Sequence, residues 1–152
     1  MTRIVVRRMR EDDLPAVSEL AMLANPHATK EKYREHVAAE LKDNSDSSFV
    51  ATVEGNVIGY AQAEVCDNKE ALLEDIAVAD EYKNRGVGKQ LLNKEVMVLK
   101  QKGARILLAE VHYKCASAIP FYYKHDFRIS GFSQDYFGIG HDAVILRRIL
   151  QK

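Results

Sequence analysis

Leu72-Leu73-Glu74-Asp75-Ile76-Ala77-Val78 is followed, after a few polar residues, by Lys83-Asn84-Arg85-Gly86-Val87-Gly88-Lys89-Gln90-Leu91-Leu92. The first run is apolar and strand-like apart from its two acids. In the second, two glycines spaced by one residue open a helical pattern. Glycines let the backbone approach a ligand, and the first turn of a helix presents unpaired N–H groups at the positive end of its dipole. Arg85 and Lys89 add positive charge beside them. A phosphate or pyrophosphate is the natural guest of such a site.

Spacing separates the nucleotide loops that could produce this pattern. A Walker A loop needs a Gly five residues before its Gly-Lys pair and Ser or Thr after it. Lys83 and Gln90 stand at those places. A dinucleotide fingerprint needs a third Gly three residues after the second, and that position is Leu91.

The chain has 152 residues, the size of one domain with a real core, so residues 1–152 read as a single unit. Hydrophobic residues make up 47% and charged residues 29%, ordinary for a soluble globular chain. Lys plus Arg and Asp plus Glu are 22 each, so no basic excess points to nucleic acid. There is no apolar stretch long enough for a membrane span, and the charged N-terminus does not read as a signal peptide. Two cysteines, Cys66 and Cys115, are too few for a disulfide framework; free thiols fit a reducing cytoplasm.

Working outward, Arg3–Met9 reads as a strand and Asp12-Asp13 as the start of a helix carrying Leu14, Val17, Leu20 and Ala21. Asn25-Pro26 is a break, and Thr29 caps a second helix running to Lys42. Phe49–Val53 and Val57–Ala61 flank Glu54-Gly55-Asn56 as a hairpin. The helix from Gly86 ends at Gly103, with Leu92, Val96 and Leu99 on one stripe and Val87, Leu91 and Val98 beside it. Arg105–Val111 is a strand, Ala116–Lys124 a helix, and Arg128–Gln134 and Asp142–Leu150 close the sheet. This order implies an α+β fold around one mixed sheet of about seven strands with about four helices.

Lys83-Asn84-Arg85-Gly86-Val87-Gly88 resembles the acyl-coenzyme A loop of the GNAT superfamily of N-acetyltransferases, whose pattern is Arg or Gln, two residues, Gly, any residue, then Gly or Ala. Lys83 is a conservative departure. Ala118-Ile119-Pro120-Phe121-Tyr122-Tyr123-Lys124-His125-Asp126-Phe127 is similar to the family's second signature, Ala-x-x-Phe-Tyr-x-Lys-x-Gly-Phe, with Asp126 in place of Gly. Cys115 stands where an Asn usually precedes that helix. Glu74-Asp75 before Ile76-Ala77-Val78 resembles the spermidine/spermine acetyltransferases. The resemblance covers nearly the whole chain. It implies acetyl-CoA as cosubstrate, with no metal, and contacts from Ile76, Ala77 and Val78 on the strand. The loop would add Lys83, Arg85, Gly86, Val87, Gly88 and Lys89, and the later helix Cys115, Ser117 and Tyr122.

Acetyl transfer to an amine needs a base for the ammonium proton, a donor to the oxyanion, and a donor to the leaving thiolate. Glu74 is the candidate base; strand alternation places Glu74, Ile76 and Val78 on one face, with Asp75 opposite unless a bulge intervenes. Glu110 is the rival base or a substrate-binding acid. The resemblance supplies the Val78 N–H as oxyanion donor and Tyr122 as the acid, since a phenol donates without being charged. The five histidines show no metalloprotease spacing; His112 and His125 read as surface residues. His141, after Gly138-Ile139-Gly140, lies where the resemblance puts the acceptor side, although an ordinary structural role fits it better. Cys115 reads as a small buried side chain before it reads as a reactive thiol.

These readings lead to an N-acetyltransferase acting on a primary amine of a small molecule by direct attack in a ternary complex. The alternatives are a peptide or protein acceptor, its groove set by Asn25–Lys30 and Gln134–Asp142, or a silent acyl-CoA-binding module. Exposed sheet ends allow a homodimer.

Overall fold

The structure, a computed structural model, describes residues 3–25 and 29–151. Its centre is the strand β4 (Glu70–Val78), which lies fourth in a seven-stranded sheet of order β1-β2-β3-β4-β5-β7-β6. The other strands are β1 (Ile4–Arg8), β2 (Ser48–Val53), β3 (Asn56–Val65), β5 (Ile106–His112), β6 (Arg128–Ser133) and β7 (Ala143–Ile149). Every neighbouring pair is antiparallel except β4 and β5. That one parallel pair needs a crossover, and α3 (Val87–Gln101) supplies it. The α+β architecture expected from the element order is the one observed.

Helices α1 (Leu14–Ala24) and α2 (Lys30–Asp43) cover one face of the sheet; α3 and α4 (Ile119–Lys124) cover the other. The hydroxyl of Thr29 accepts from the Lys32 N–H and caps α2 as its sequence position suggests. Residues 26–28, the centre of the expected break, lie outside the described residues. The α1–α2 face buries Val17, Leu20, Ala21, Tyr33, Val37 and Leu41 against Val50, Tyr60 and Ala77. On the opposite face Leu92 and Leu99 of α3 meet Leu73, Leu107 and Leu146. The buried stripe of α3 also takes in Glu95, which the apolar pattern did not indicate. Its carboxyl has no hydrogen-bond partner among the described residues, and burial pushes its pKa well above the ordinary range, which favours the neutral acid.

Candidate active site

Parallel pairing of β4 with β5 runs from Glu70–Ile106 to Leu73–Ala109 and stops there. Beyond it the two strands part, β4 staying with β3 and β5 with β7. The Ala79 N–H donates to Ile58 O across β3 at 2.8 Å. Amides alternate along a strand, so the Val78 and Ile76 N–H groups point away from β3 into the gap. Backbone donors in a wedge between strands suit an extended polar ligand.

The glycine loop lies just beyond the end of β4. Gly86 caps α3 in the left-handed region at φ 82°, which a residue with a Cβ adopts at a cost. The first amide bonded back into the helix is that of Gln90, to Gly86 O at 3.0 Å. The Val87, Gly88 and Lys89 amides therefore open the helix without α-helical acceptors. Arg85 lies over the Tyr82 ring, 5.4 Å from its centroid, and Lys89 is exposed. Lys83 is instead ion-paired with Asp80 at 2.9 Å. Gly88 serves packing as well: a Cβ there would stand 3.1 Å from the Phe121 ring of α4.

Tyr122 of α4 is 8% exposed and packs edge-on to Phe121 and Phe127. Burial, then the nearby Asp75 and Cys115, push its pKa upward, so its phenol stays protonated and able to donate. Cys115 is half-buried, and burial raises its thiol too, away from thiolate character. Ser117 is exposed in the 3-10 turn Tyr113–Ala118.

The expected strand alternation around Glu74 does not hold. The register steps from Gln62–Asp75 to Ala63–Leu73, which leaves Glu74 as an extra residue in β4. Such a bulge reverses the faces across it. Leu73 and Ile76 both pack towards α3, whereas Glu74 and Asp75 both turn to the α1–α2 side. There Glu74 lies 3.8 Å from His36 Nε2, and Asp75 accepts from Tyr60 Oη and Asn25 Nδ2. Ile76 and Val78 thus sit on the face opposite Glu74.

Carboxylates from three other elements converge on Glu74. Burial first, then a hydrogen bond with Glu64 of β3 and the charges of Glu40 on α2 and Glu110 on β5, push its pKa to about 9. Glu40 is raised as well, by burial and then by Glu64. Burial, then Glu110 on β5, push the phenol of Tyr136 in the β6–β7 hairpin up, which sets that hairpin beside the carboxylate. The cluster relieves its charge by holding a proton or by binding a cation. His36, Glu40 and Glu74 each bring one ligating atom within 4.8 Å of the others, a spacing open to a metal ion; an ammonium group suits the same oxygens. Nothing in the sequence gathers these acids, because α2, β3, β4 and β5 supply one each.

His112 corrects a second expectation: it is 2% exposed, not a surface residue. Its Nδ1 accepts from the Lys114 N–H at 3.0 Å, so in the neutral ring the proton is on Nε2 and donates to His141 Nδ1, 2.9 Å away. The ring also stacks on Phe137, so the pair fastens the β6–β7 hairpin to the end of β5. His141 holds this hairpin in place, while His125 is half-buried against Phe121.

Residues 14–127 match the model of the Acetyltransferase (GNAT) family. The chain belongs to that family. This GNAT chain is 36% identical over 89 residues to streptothricin acetyltransferase A of Bacillus subtilis, a match covering 59% of the chain and about half, 51%, of that relative. It is 27% identical over 154 residues to an N-alpha-acetyltransferase of Sulfurisphaera tokodaii, covering 93% and 90% of the two chains. Among solved structures, Ard1 from Thermoplasma volcanium superposes with a TM-score of 0.85 at 22% identity, over 98% of this chain and 99% of that one. A Salmonella typhimurium protein solved with its cofactor acetyl-CoA has a TM-score of 0.78 at 16% identity, over 99% and 95%. These two structures show the shared fold.

Proposed function

We propose that this GNAT chain transfers an acetyl group from acetyl-CoA to a primary amine of a small molecule that carries more than one positive charge. The observation that carries the charge preference is the convergence of Glu40, Glu64, Glu74 and Glu110 beside the wedge between β4 and β5. In this reading the pyrophosphate lies on the Val87, Gly88 and Lys89 amides with Arg85, and the pantetheine arm follows β4. Glu74 takes the proton of the bound ammonium. The freed nitrogen attacks the thioester carbon directly, and the Val78 N–H faces the oxyanion. As the C–S bond breaks, Tyr122 gives its proton to the thiolate, and the positively charged nitrogen of the intermediate sheds its surplus proton, which through water restores the phenol. The presence of both Glu74 and Tyr122 favours an enzyme over a silent acyl-CoA-binding module.

A peptide N-terminus is the second reading, favoured by N-alpha-acetyltransferase relatives that match nearly the whole chain. The two acceptors differ in charge, so neutralising the outer acids separates them. Glu40→Gln with Glu64→Gln is expected to raise the KM for a diamine about tenfold, the scale of one charge-assisted hydrogen bond. A monoamine of equal length should respond much less. Equal responses, or a preference for peptides in the unaltered protein, would favour the second reading.

Acetyl-CoA at about 100 times its Kd is expected to stabilise the fold by roughly 2.7 kcal/mol, read as a raised Tm. Gly88→Asp should weaken that binding at least tenfold, because a carboxylate would point at the pyrophosphate and its Cβ would crowd Phe121. Unchanged affinity in a folded variant would place the cofactor elsewhere. The edge strand β6, with Ile129 and Phe132 exposed, supports a homodimer, which sedimentation equilibrium would test. No described helix is long and apolar enough to cross a membrane. The two free cysteines support a cytoplasmic site of action.

A further inference from the structure

Glu74 is the least supported residue of β4. The register with β3 skips it, and pairing with β5 ends one residue earlier, at Leu73. Neither neighbouring strand sets a backbone register partner opposite it, yet a base must be held to within a fraction of an ångström to act. The support comes from the next residue. Asp75 is buried, 8% exposed, and accepts from the hydroxyl of Tyr60 on β3. Asn25 Nδ2 lies 3.2 and 3.1 Å from its two carboxylate oxygens. The same Nδ2 is 3.1 Å from Ala21 O in the last turn of α1. Asp75 is therefore pinned to β3 and to the end of α1 at once.

We propose that Asp75 is a positioning residue that acts through Glu74: anchored by Tyr60 and Asn25, it fixes the bulge and holds the Glu74 carboxyl in the cleft. The proposal rests on Glu74 being the base. Because the bulge sends two consecutive carboxyls to one face, one can be tied down while the other stays available. The groups around the anchor are Tyr60, Asn25, Tyr33, His36, Cys115 and Tyr122; those around Glu74 are His36, Glu40, Glu64, Glu110, Cys66 and Tyr136.

Asp75→Ala would leave the Tyr60 hydroxyl without its carboxylate acceptor in the interior and would destabilise the fold. Asn25→Ala and Tyr60→Phe each release one side of the anchor and are the variants to use. The first readout needs no turnover: the Glu74 carboxyl carbon is titrated by NMR. In either variant its midpoint should fall by about one pH unit or more from that of the unaltered protein, because a loosened carboxyl regains water and leaves Glu64. An unmoved midpoint overturns the proposal. The second readout is a double-mutant cycle on acetyl transfer. Asn25→Ala should lower kcat at least tenfold in the parent and cost less than twofold more in Glu74→Gln, with the acetyl-CoA Kd unchanged. An equal loss in both backgrounds overturns it. Should Glu74→Gln retain full turnover while the midpoint still moves, the base assignment fails and the positioning of Glu74 stands.

Discussion

Glu74→Gln is expected to lower acetyl transfer by about 10²- to 10⁴-fold near neutral pH, the range removed with a general base, while leaving acetyl-CoA binding intact. The sharper signature is the pH profile. With the free carboxyl at about 9, kcat/KM for the acceptor should rise with pH up to that value in the unaltered enzyme. It should then fall above about 10, where a primary amine loses its own proton. In Glu74→Gln the levelling-off near 9 disappears. The residual rate follows the neutral amine and keeps rising through about 10, so the gap narrows at high pH. A loss that stays uniform across pH would point to a structural role and move attention to Glu110. Stability gives an independent check. A carboxyl raised from 4.5 to about 9 binds more protons folded than unfolded between those values. Its contribution is full below about 4.5 and is lost as pH climbs towards 9, and Glu74→Gln should flatten that slope.

Tyr122→Phe removes one oxygen and keeps the ring packed on Phe121 and Phe127. Turnover should fall by about 10²- to 10⁴-fold if the phenol protonates the leaving thiolate. The KM for acetyl-CoA should move far less, since the hydroxyl matters most when charge develops on sulfur. A donor with a more acidic leaving thiol should recover part of the loss. A folded variant with undiminished turnover would leave water or a backbone group as the proton source.

The proposed cofactor half of the site is local in sequence, so its signals stand side by side there. A strand, two glycines, two basic residues and a helix start lie within about twenty positions, and each signal is set by its own few residues. The acceptor half is assembled from afar. The bulge at Glu74 depends on which β3 residue lies opposite, so alternation along β4 alone put Ile76 on the wrong side of the sheet from Glu74. Asn25 meets Asp75 across fifty positions. His112 looks like a polar strand end, and is buried because Phe137 and His141 close over it from a hairpin that returns much later. The four acids each look like solvated charges in their own elements, and only the tertiary fold makes them one cluster.

The most direct test of the account supplies the protein with acetyl-CoA and, in separate reactions, a diamine, a monoamine of equal length and an N-terminal peptide, and follows release of free coenzyme A thiol with mass detection of the acetylated acceptor. The account predicts acceptor-dependent thiol release with the highest kcat/KM for the diamine, and one acetyl group on its nitrogen. Thiol release with none of the amines, or acetylation of the peptide in preference to both, would contradict it.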